Sequence, residues 1–246
     1  MPSVSEKPAA APGTLESVRI AGFQRAGMLD WPGKVTATVF LAGCGLACPY
    51  CHNPELVHTP RRTEDPSALL AHVRDRRAWL DGVVVTGGEP CTRRTDLTTL
   101  LQALKTEGMP VKLDTNGTHP DVLAELIEAR LVDFVALDVK ATPERYALAT
   151  GRHDVWASVS RSIRTVIDSG VDHEFRTTCY PLAVGPGDPE GIARELSGGR
   201  RYVLQQFRSM RTLDPGAVSV RPHAAETLNA AALRCSAYLP TVVRGA

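Results

Sequence analysis

The sequence of 246 residues predicts an α/β protein built on a mainly parallel sheet. Three observations support this prediction: six apolar strands alternate with six helical segments, the strands are apolar on both faces, and polar clusters follow the strands directly. Parallel strands joined by helices form either a barrel or an open doubly wound sheet. Both architectures collect functional residues at the carboxyl ends of the strands.

The first elements are an edge strand and a buried strand. Residues 17–23 alternate apolar and polar side chains, which predicts an edge strand or a hairpin arm. Asp30-Trp31-Pro32-Gly33 has the composition of a turn. Residues 35–41 are β-branched and apolar, and they predict a buried strand that ends just before a cysteine-rich loop.

The remaining elements alternate between helix and strand. The helix over residues 156–169 has the strongest pattern, because its apolar residues recur at helical spacing and Gly170 follows as a typical end. The other predicted helices cover residues 66–77, 96–105, 121–128, 224–235 and a short segment that begins near residue 189. The other predicted strands cover residues 82–86, 111–114, 134–138, 172–178 and 201–207.

Composition and charge are those of an ordinary globular protein. Hydrophobic residues make up 43% of the chain and charged residues 22%, and the formal net charge is +1. No charge excess therefore directs the chain to nucleic acid or to an anionic membrane. No apolar run approaches the roughly 18 residues of a membrane span, and the N-terminus lacks the apolar core of a signal peptide. We expect a flexible tail over residues 1–16, one domain over residues 17–246 and a cytoplasmic location.

Three of the six cysteines, Cys44, Cys48 and Cys51, fall within eight residues. Cytoplasmic thiols stay reduced, so the clustering needs an explanation other than disulfides. One candidate is a zinc site with His52 as fourth ligand, although His52 directly follows Cys51 and ligation by both is awkward. The other is a [4Fe–4S] cluster held by three cysteines, which leaves one iron open, as catalytic zinc sites leave one position open. Cys91 is either an additional ligand or an ordinary small side chain.

The cysteine segment Cys44-x-x-x-Cys48-x-Tyr50-Cys51 resembles the signature of the radical S-adenosylmethionine (SAM) superfamily, in which an aromatic residue precedes the third cysteine. The stretch from Gly22 to Leu56 is similar to the activating enzymes of glycyl radical enzymes, most of all to the branch that acts on anaerobic ribonucleoside-triphosphate reductase. The resemblance implies a partial (β/α)6 TIM-type barrel.

The resemblance also implies a reaction. Cys44, Cys48 and Cys51 would hold one [4Fe–4S] cluster per chain, and SAM would bind the open iron. One electron from a reduced flavodoxin or ferredoxin would cleave SAM, and the 5′-deoxyadenosyl radical would take a hydrogen atom from a glycine Cα of the partner, anaerobic ribonucleotide reductase. Two alternatives stay open: a radical SAM enzyme that acts on another glycyl radical enzyme or a small molecule, and a non-catalytic iron–sulfur or zinc module.

Several strand-end residues match cofactor-binding motifs of the superfamily. Gly87-Gly88-Glu89 matches a Gly-Gly-Glu motif, in which glycines permit close backbone approach and the carboxylate suits an ammonium group. We therefore expect a larger residue at position 88 to weaken cofactor binding while the cluster still assembles. The cofactor-binding residues that the resemblance implies are Tyr50, His52, Gly87, Gly88, Glu89, Asp114, Thr115, Asp138, Lys140, Arg176 and Arg208.

Individual roles follow from the chemistry of these side chains. Asp114 and Thr115 suit a ribose or a cation, and Lys140 suits the carboxylate of methionine. Arg176 lies in a strand predicted to be buried, where an arginine needs a partner. Arg208 stands where some relatives carry a histidine that contacts adenosine.

Overall fold

The computed structural model describes residues 13–57 and 64–246. Their centre is one sheet of eight strands that lie in the order of the sequence. β1 pairs antiparallel with β2, and each later neighbour is parallel. The strands are β1 Ile20–Gly27, β2 Thr36–Leu41, β3 Gly82–Gly87, β4 Val111–Thr115, β5 Phe134–Asp138, β6 Asp172–Cys179, β7 Tyr202–Gln206 and β8 Thr241–Arg244.

Helices connect the parallel strands. The helices are α1 Pro66–Asp75, α2 Arg94–Thr106, α3 Pro120–Glu128, α4 Tyr146–Thr150, α5 Trp156–Ser169, α6 Asp188–Glu195 and α7 Ala225–Cys235. Gly170 ends α5 with a left-handed φ of 71°, as the sequence predicts. No helix among the described residues combines the length and the apolar character that crossing a bilayer requires.

The strand order decides between the two architectures that the sequence leaves open. A doubly wound sheet reverses its order at one point, whereas the order β1 to β8 never reverses. Right-handed crossovers between successive neighbours place all helices on one face, as in a TIM barrel. β8 does not pair with β1 in the part of the chain that the structure describes, so the barrel is partial. The predicted α/β fold, a partial TIM-type barrel, is confirmed.

Most differences from the predicted elements lie at their ends. The first strand begins at Ile20 rather than at residue 17, because Leu15–Ser17 form a 3₁₀ turn that contacts α1 and α2. Residues 1–12 of the predicted tail lie outside the described residues. α4 and β8 are additional elements of five and four residues, too short for a periodic pattern to predict.

The two faces of the sheet differ in chemistry. Side chains that point to the helices are apolar and fully buried, such as Val85, Leu113 and Leu137. The alternate positions point into the barrel, and towards the strand ends they carry polar and charged side chains. At the opposite end Trp31 packs on the ring of Phe134, with 5.7 Å between ring centroids. The barrel is therefore closed by aromatic side chains at one end and polar at the other.

Candidate functional site

A cavity of about 380 Å³ lies at the carboxyl ends of the strands. The cysteine loop, residues 43–57, forms one wall, and residues that end β3, β4, β5 and β6 form the others. Every site residue predicted from the sequence lines this cavity except Arg208. One cavity thus joins predicted site residues that lie up to 132 positions apart, from Cys44 to Arg176.

Backbone hydrogen bonds close the cysteine loop. Gly43 N–H donates to Leu56 O at 2.8 Å, and Cys44 N–H donates to Val57 O at 3.3 Å. Inside the loop, Cys51 N–H donates to Cys48 O at 3.0 Å, a turn that brings these two residues together. Backbone contacts therefore hold the loop in place, and its thiols remain available to a ligand.

Gly87 and Gly88 bring the end of β3 against the cysteine loop. A Cβ atom at Gly87 would lie 1.9 Å from Leu41 O, and a Cβ atom at Gly88 would lie 2.4 Å from Gly43 O. Both distances are far below a normal contact, so neither position has room for a side chain. Both glycines line the cavity, but their closest contacts are to backbone. The structure therefore predicts that a larger residue at position 88 displaces the cysteine loop, in contrast to the sequence-based expectation.

Glu89 is buried and links β3 to β4. Its carboxylate accepts hydrogen bonds from Cys91 N–H at 3.0 Å, the Thr115 hydroxyl at 2.8 Å and Asn116 N–H at 2.6 Å. A carboxylate has about four lone-pair positions, so three are occupied and about one is left for a ligand. Asn116 was not a predicted site residue, although it also lines the cavity.

The cysteine thiols differ in their surroundings. Burial raises the pKa of Cys44, which the N–H of Leu46 partly offsets, and burial raises the pKa of Cys48 to about 12. Thiolates at these positions consequently need a metal centre to stabilise them. No three His, Cys, Asp or Glu side chains of residues 13–57 and 64–246 are arranged to hold a single metal ion. Cys91 is buried and does not line the cavity, and burial raises the pKa of its thiol well above the ordinary value.

A chain of five alternating charges crosses the inner face of the barrel. Lys112 Nζ donates to Asp114 Oδ1 at 2.5 Å, and Arg176 Nη1 donates to Asp114 Oδ2 at 3.1 Å. Arg176 Nε donates to Asp138 Oδ1 at 2.7 Å, and Lys140 Nζ donates to Asp138 Oδ2 at 3.0 Å. Three cations and two carboxylates leave a formal surplus of one positive charge.

Neighbouring charged side chains in this series shift one another's pKa values. Burial raises the pKa values of Asp114 and Asp138, but Arg176 together with the lysine beside each carboxylate outweighs this effect, and both pKa values lie below the ordinary range. Burial lowers the pKa of Lys140, but Asp138 together with Cys48 and Tyr50 outweighs this effect and raises the pKa well above the ordinary value. Asp114, Asp138 and Lys140 therefore stay charged at neutral pH.

Lys112 is the member of this chain that the sequence analysis missed. The available signal was a lysine between the buried apolar residues Val111 and Leu113, two positions before Asp114. Residues two apart share one face of a strand, so Lys112 had to point in the same direction as Asp114. The same reasoning had identified Arg176.

Aromatic side chains support the cysteine loop from the far side. The ring of Tyr50 packs on Tyr180, and Tyr180 packs on Phe207, each pair with 4.9 Å between ring centroids. The Tyr50 hydroxyl is buried and has no hydrogen-bond partner among the described residues. A buried hydroxyl without a partner is costly, so this atom is suited to receive a ligand group.

His52 and Arg208 contact each other at the edge of the cavity. His52 Nε2 lies 3.2 Å from Arg208 O. The Arg208 side chain is exposed and lies near Gly245. Its cofactor role stays a prediction, because only its backbone contacts a residue of the cavity.

Comparisons with known proteins agree with this geometry. Residues 38–196 match the model of the Radical SAM superfamily. A protein of Methanocaldococcus jannaschii named as a glycyl-radical enzyme activating enzyme is 33% identical over 199 residues, which cover 79% of this chain and 82% of the relative. The pyruvate formate-lyase 1-activating enzyme of Escherichia coli is 33% identical over 130 residues, 50% of this chain and 52% of the relative. The chain therefore spans about half of that second relative.

Solved structures share the fold at low sequence identity. Streptococcus suis SuiB bound to S-adenosylmethionine has a TM-score of 0.61 and 13% identity, and the match covers 85% of this chain and 52% of SuiB. The E. coli coproporphyrinogen III oxidase HemN has a TM-score of 0.52 and 13% identity over 81% of this chain and 51% of HemN. At these identities the likeness concerns the fold alone.

Proposed function

The chain belongs to the radical SAM superfamily, and we propose that it is an activating enzyme that installs a glycyl radical on a partner enzyme. The observation that carries the proposal is the convergence of three loop thiols and the paired charges of Asp114, Arg176, Asp138 and Lys140 on one cavity. For the partner we propose anaerobic ribonucleoside-triphosphate reductase. In support, the cysteines outside the loop show no Cys-x-x-Cys spacing for a second cluster, as in the reductase branch.

The residues present fit a [4Fe–4S] cluster with one open iron. Cys44, Cys48 and Cys51 supply three thiol ligands from one loop, and all three line the cavity. Cys91 does not line it, so it is not placed to act as the fourth ligand. When bound, the cluster would supply the electron that cleaves SAM to a 5′-deoxyadenosyl radical.

The cavity side chains suit the polar groups of SAM. Lys140 and Arg176 offer positive charge to the methionine carboxylate, and Glu89 offers its remaining acceptor position to the ammonium group. Asp138 is held by two cations and can still accept from a hydroxyl. The unpartnered Tyr50 hydroxyl supplies a further hydrogen-bonding group.

The surroundings of the cavity suit a radical reaction on a protein substrate. Backbone contacts to the cysteine loop and the paired charges fix the cavity side chains in place, which limits their reorganisation during a reaction. The proposed electron donor is a reduced flavodoxin or ferredoxin. All six cysteines are free thiols, as in the reducing cytoplasm where we propose that the enzyme acts.

Anaerobic reconstitution tests the proposal. The protein is loaded with iron and sulfide, reduced, and examined by EPR with and without SAM. We expect a cluster signal that shifts when SAM is added, followed by formation of 5′-deoxyadenosine. A colourless zinc protein, or an EPR signal that does not change when SAM is added, would overturn the enzyme assignment.

A second assay tests the partner. The reduced holoenzyme is incubated with SAM and with either anaerobic ribonucleotide reductase or pyruvate formate-lyase. A glycine-centred EPR doublet on the reductase supports the proposed partner. A doublet on the lyase alone would replace that partner and retain the activating reaction.

A further inference from the structure

Lys112 is completely buried in β4, and among residues 13–57 and 64–246 its charge has one carboxylate partner, Asp114. The Nζ atom also lies 6.0 Å from the ring centroid of Phe134, on the floor of the barrel. Lys112 does not line the cavity. Burial of a lysine is costly, and an apolar residue would fill the same space at lower cost. The buried charge of Lys112 therefore indicates a functional role that is exerted on the cavity through neighbouring side chains.

The arrangement of the charged chain indicates what Lys112 does. Each carboxylate uses one oxygen for each of two cations: Asp114 bridges Lys112 and Arg176, and Asp138 bridges Arg176 and Lys140. The guanidinium of Arg176 is thus divided between two carboxylates, with Nη1 on Asp114 and Nε on Asp138. Because Lys112 already neutralises one oxygen of Asp114, Arg176 can remain in this bridging position.

Removal of Lys112 would change both geometry and charge. Asp114 would then depend on Arg176 alone and draw the guanidinium away from Asp138. Asp138 in turn would pair more closely with Lys140. Lys140 is the last of the five charged side chains, and it lines the cavity together with Cys48 and Tyr50. The formal charge of the chain would fall from +1 to zero, so less positive charge would be available to an anionic group.

We propose that Lys112 is a positioning residue for the carboxylate of SAM. It acts through Asp114 and Arg176, and it maintains the surplus positive charge of a series whose other four members line the cavity. The inference rests on the proposed SAM site and adds to it a residue that does not touch the ligand. It also distinguishes Lys112 from Lys105, a surface lysine on α2 that pairs with Asp133 on the outside of the barrel.

The test compares two ligands that differ in one carboxylate. Reconstituted Lys112→Met holoenzyme is titrated anaerobically with SAM and with decarboxylated SAM, and its iron content and Tm are measured in parallel. We expect the Kd for SAM to rise roughly tenfold, the effect of one charge-assisted contact, and the Kd for decarboxylated SAM to change less than about twofold. In steady-state SAM cleavage, KM should rise while kcat stays within about twofold of the wild type. Lys105→Met is the matched control and should change neither ligand's Kd.

The outcomes separate the inference from the proposed function. If Lys112→Met binds SAM as tightly as the wild type, or weakens both ligands equally, Lys112 has no role in recognising the carboxylate. If Lys112→Met does not fold, Lys112→Gln replaces it, since glutamine can still donate to Asp114 without carrying charge, and the same ligand-specific weakening is expected. If the wild-type holoenzyme binds neither ligand, the proposed SAM site itself is wrong.

Discussion

Replacement of Gly88 by alanine is expected to destabilise the cysteine loop and to prevent cluster assembly. The backbone of Gly88 lies outside the left-handed region, so the cost is steric alone. The added Cβ atom would lie 2.4 Å from Gly43 O, 2.8 Å from Gly43 C and 2.9 Å from Leu56 O. All three are backbone atoms, which cannot rotate away as the end of a flexible side chain can. The loop must therefore move by about 1 Å to restore ordinary contact distances.

The magnitude follows from what that movement disturbs. Overpacking of this kind costs about 1–3 kcal/mol. The displaced atoms also make the hydrogen bonds Glu89 N–H to Gly43 O, at 2.7 Å, and Gly43 N–H to Leu56 O, at 2.8 Å. Each contributes about 0.5–1.5 kcal/mol, so we expect Gly88→Ala to lower the free energy of unfolding by about 2–6 kcal/mol. For a domain of this size the Tm would fall by roughly 5–25 °C.

Gly45→Ala is the matched control, because it changes the same loop in the same way. A Cβ atom at Gly45 would meet nothing within 4 Å, and its φ also lies outside the left-handed region. The control should stay within about 0.5 kcal/mol of the wild type. Urea unfolding of the apo proteins and iron content after reconstitution are measured for both variants. A Gly88→Ala protein with the stability and iron content of Gly45→Ala would refute the reasoning.

Three further predictions concern the cysteines, an exposed leucine near the strand ends and a buried histidine. Cys48→Ala should abolish 5′-deoxyadenosine formation and Cys91→Ala should preserve it, since Cys48 lines the cavity and Cys91 does not; cleavage by reconstituted Cys48→Ala would contradict the ligand assignment. Leu182 is exposed just after the carboxyl end of β6, so Leu182→Glu should lower the glycyl-radical yield on the partner but not SAM cleavage, whereas Leu233 on α7, which is also exposed, should tolerate the same change; equal yields would exclude the surface around Leu182 from docking. Burial lowers the pKa of His173, which keeps the neutral ring favoured in the folded state. Urea unfolding should therefore show full stability above pH 6.5 and a loss of about 1 kcal/mol as pH falls through the lower folded pKa, a loss that His173→Gln should not show.

The sequence was sufficient to predict most of the cavity because strand ends are local features. The apolar runs that end before Gly87, Asp114 and Asp138 mark the edge of a parallel sheet, and the fold then brings those ends together. The resemblance added the identity of the cysteine loop. Neither the strand ends nor the cysteine loop required knowledge of the contacts between individual atoms.

Contacts between segments that lie far apart in the sequence could not be predicted in this way. Gly88 meets Gly43, which lies 45 positions earlier in the chain, so its role as a packing position is visible only in the folded chain. The Glu89 carboxylate likewise accepts hydrogen bonds from Cys91, Thr115 and Asn116, which leaves less acceptor capacity for a ligand than its motif indicates. Both residues line the cavity, as the sequence predicts, but their main contacts could not be predicted from the sequence.

The interior of this partial barrel is polar and charged, and this suits the site. The interior of a closed TIM barrel is filled by layers of bulky apolar side chains, whereas inward positions here include Glu174 and Arg176. Glu174 is fully buried, and Arg244 from the last strand reaches across β7 to bind both of its carboxylate oxygens, at 3.0 and 3.3 Å. Such pairs are costly to bury, but once formed they fix each charge before a ligand arrives. A ligand that carries both a carboxylate and an ammonium group then meets dipoles and charges already oriented, and its binding requires little rearrangement of the protein.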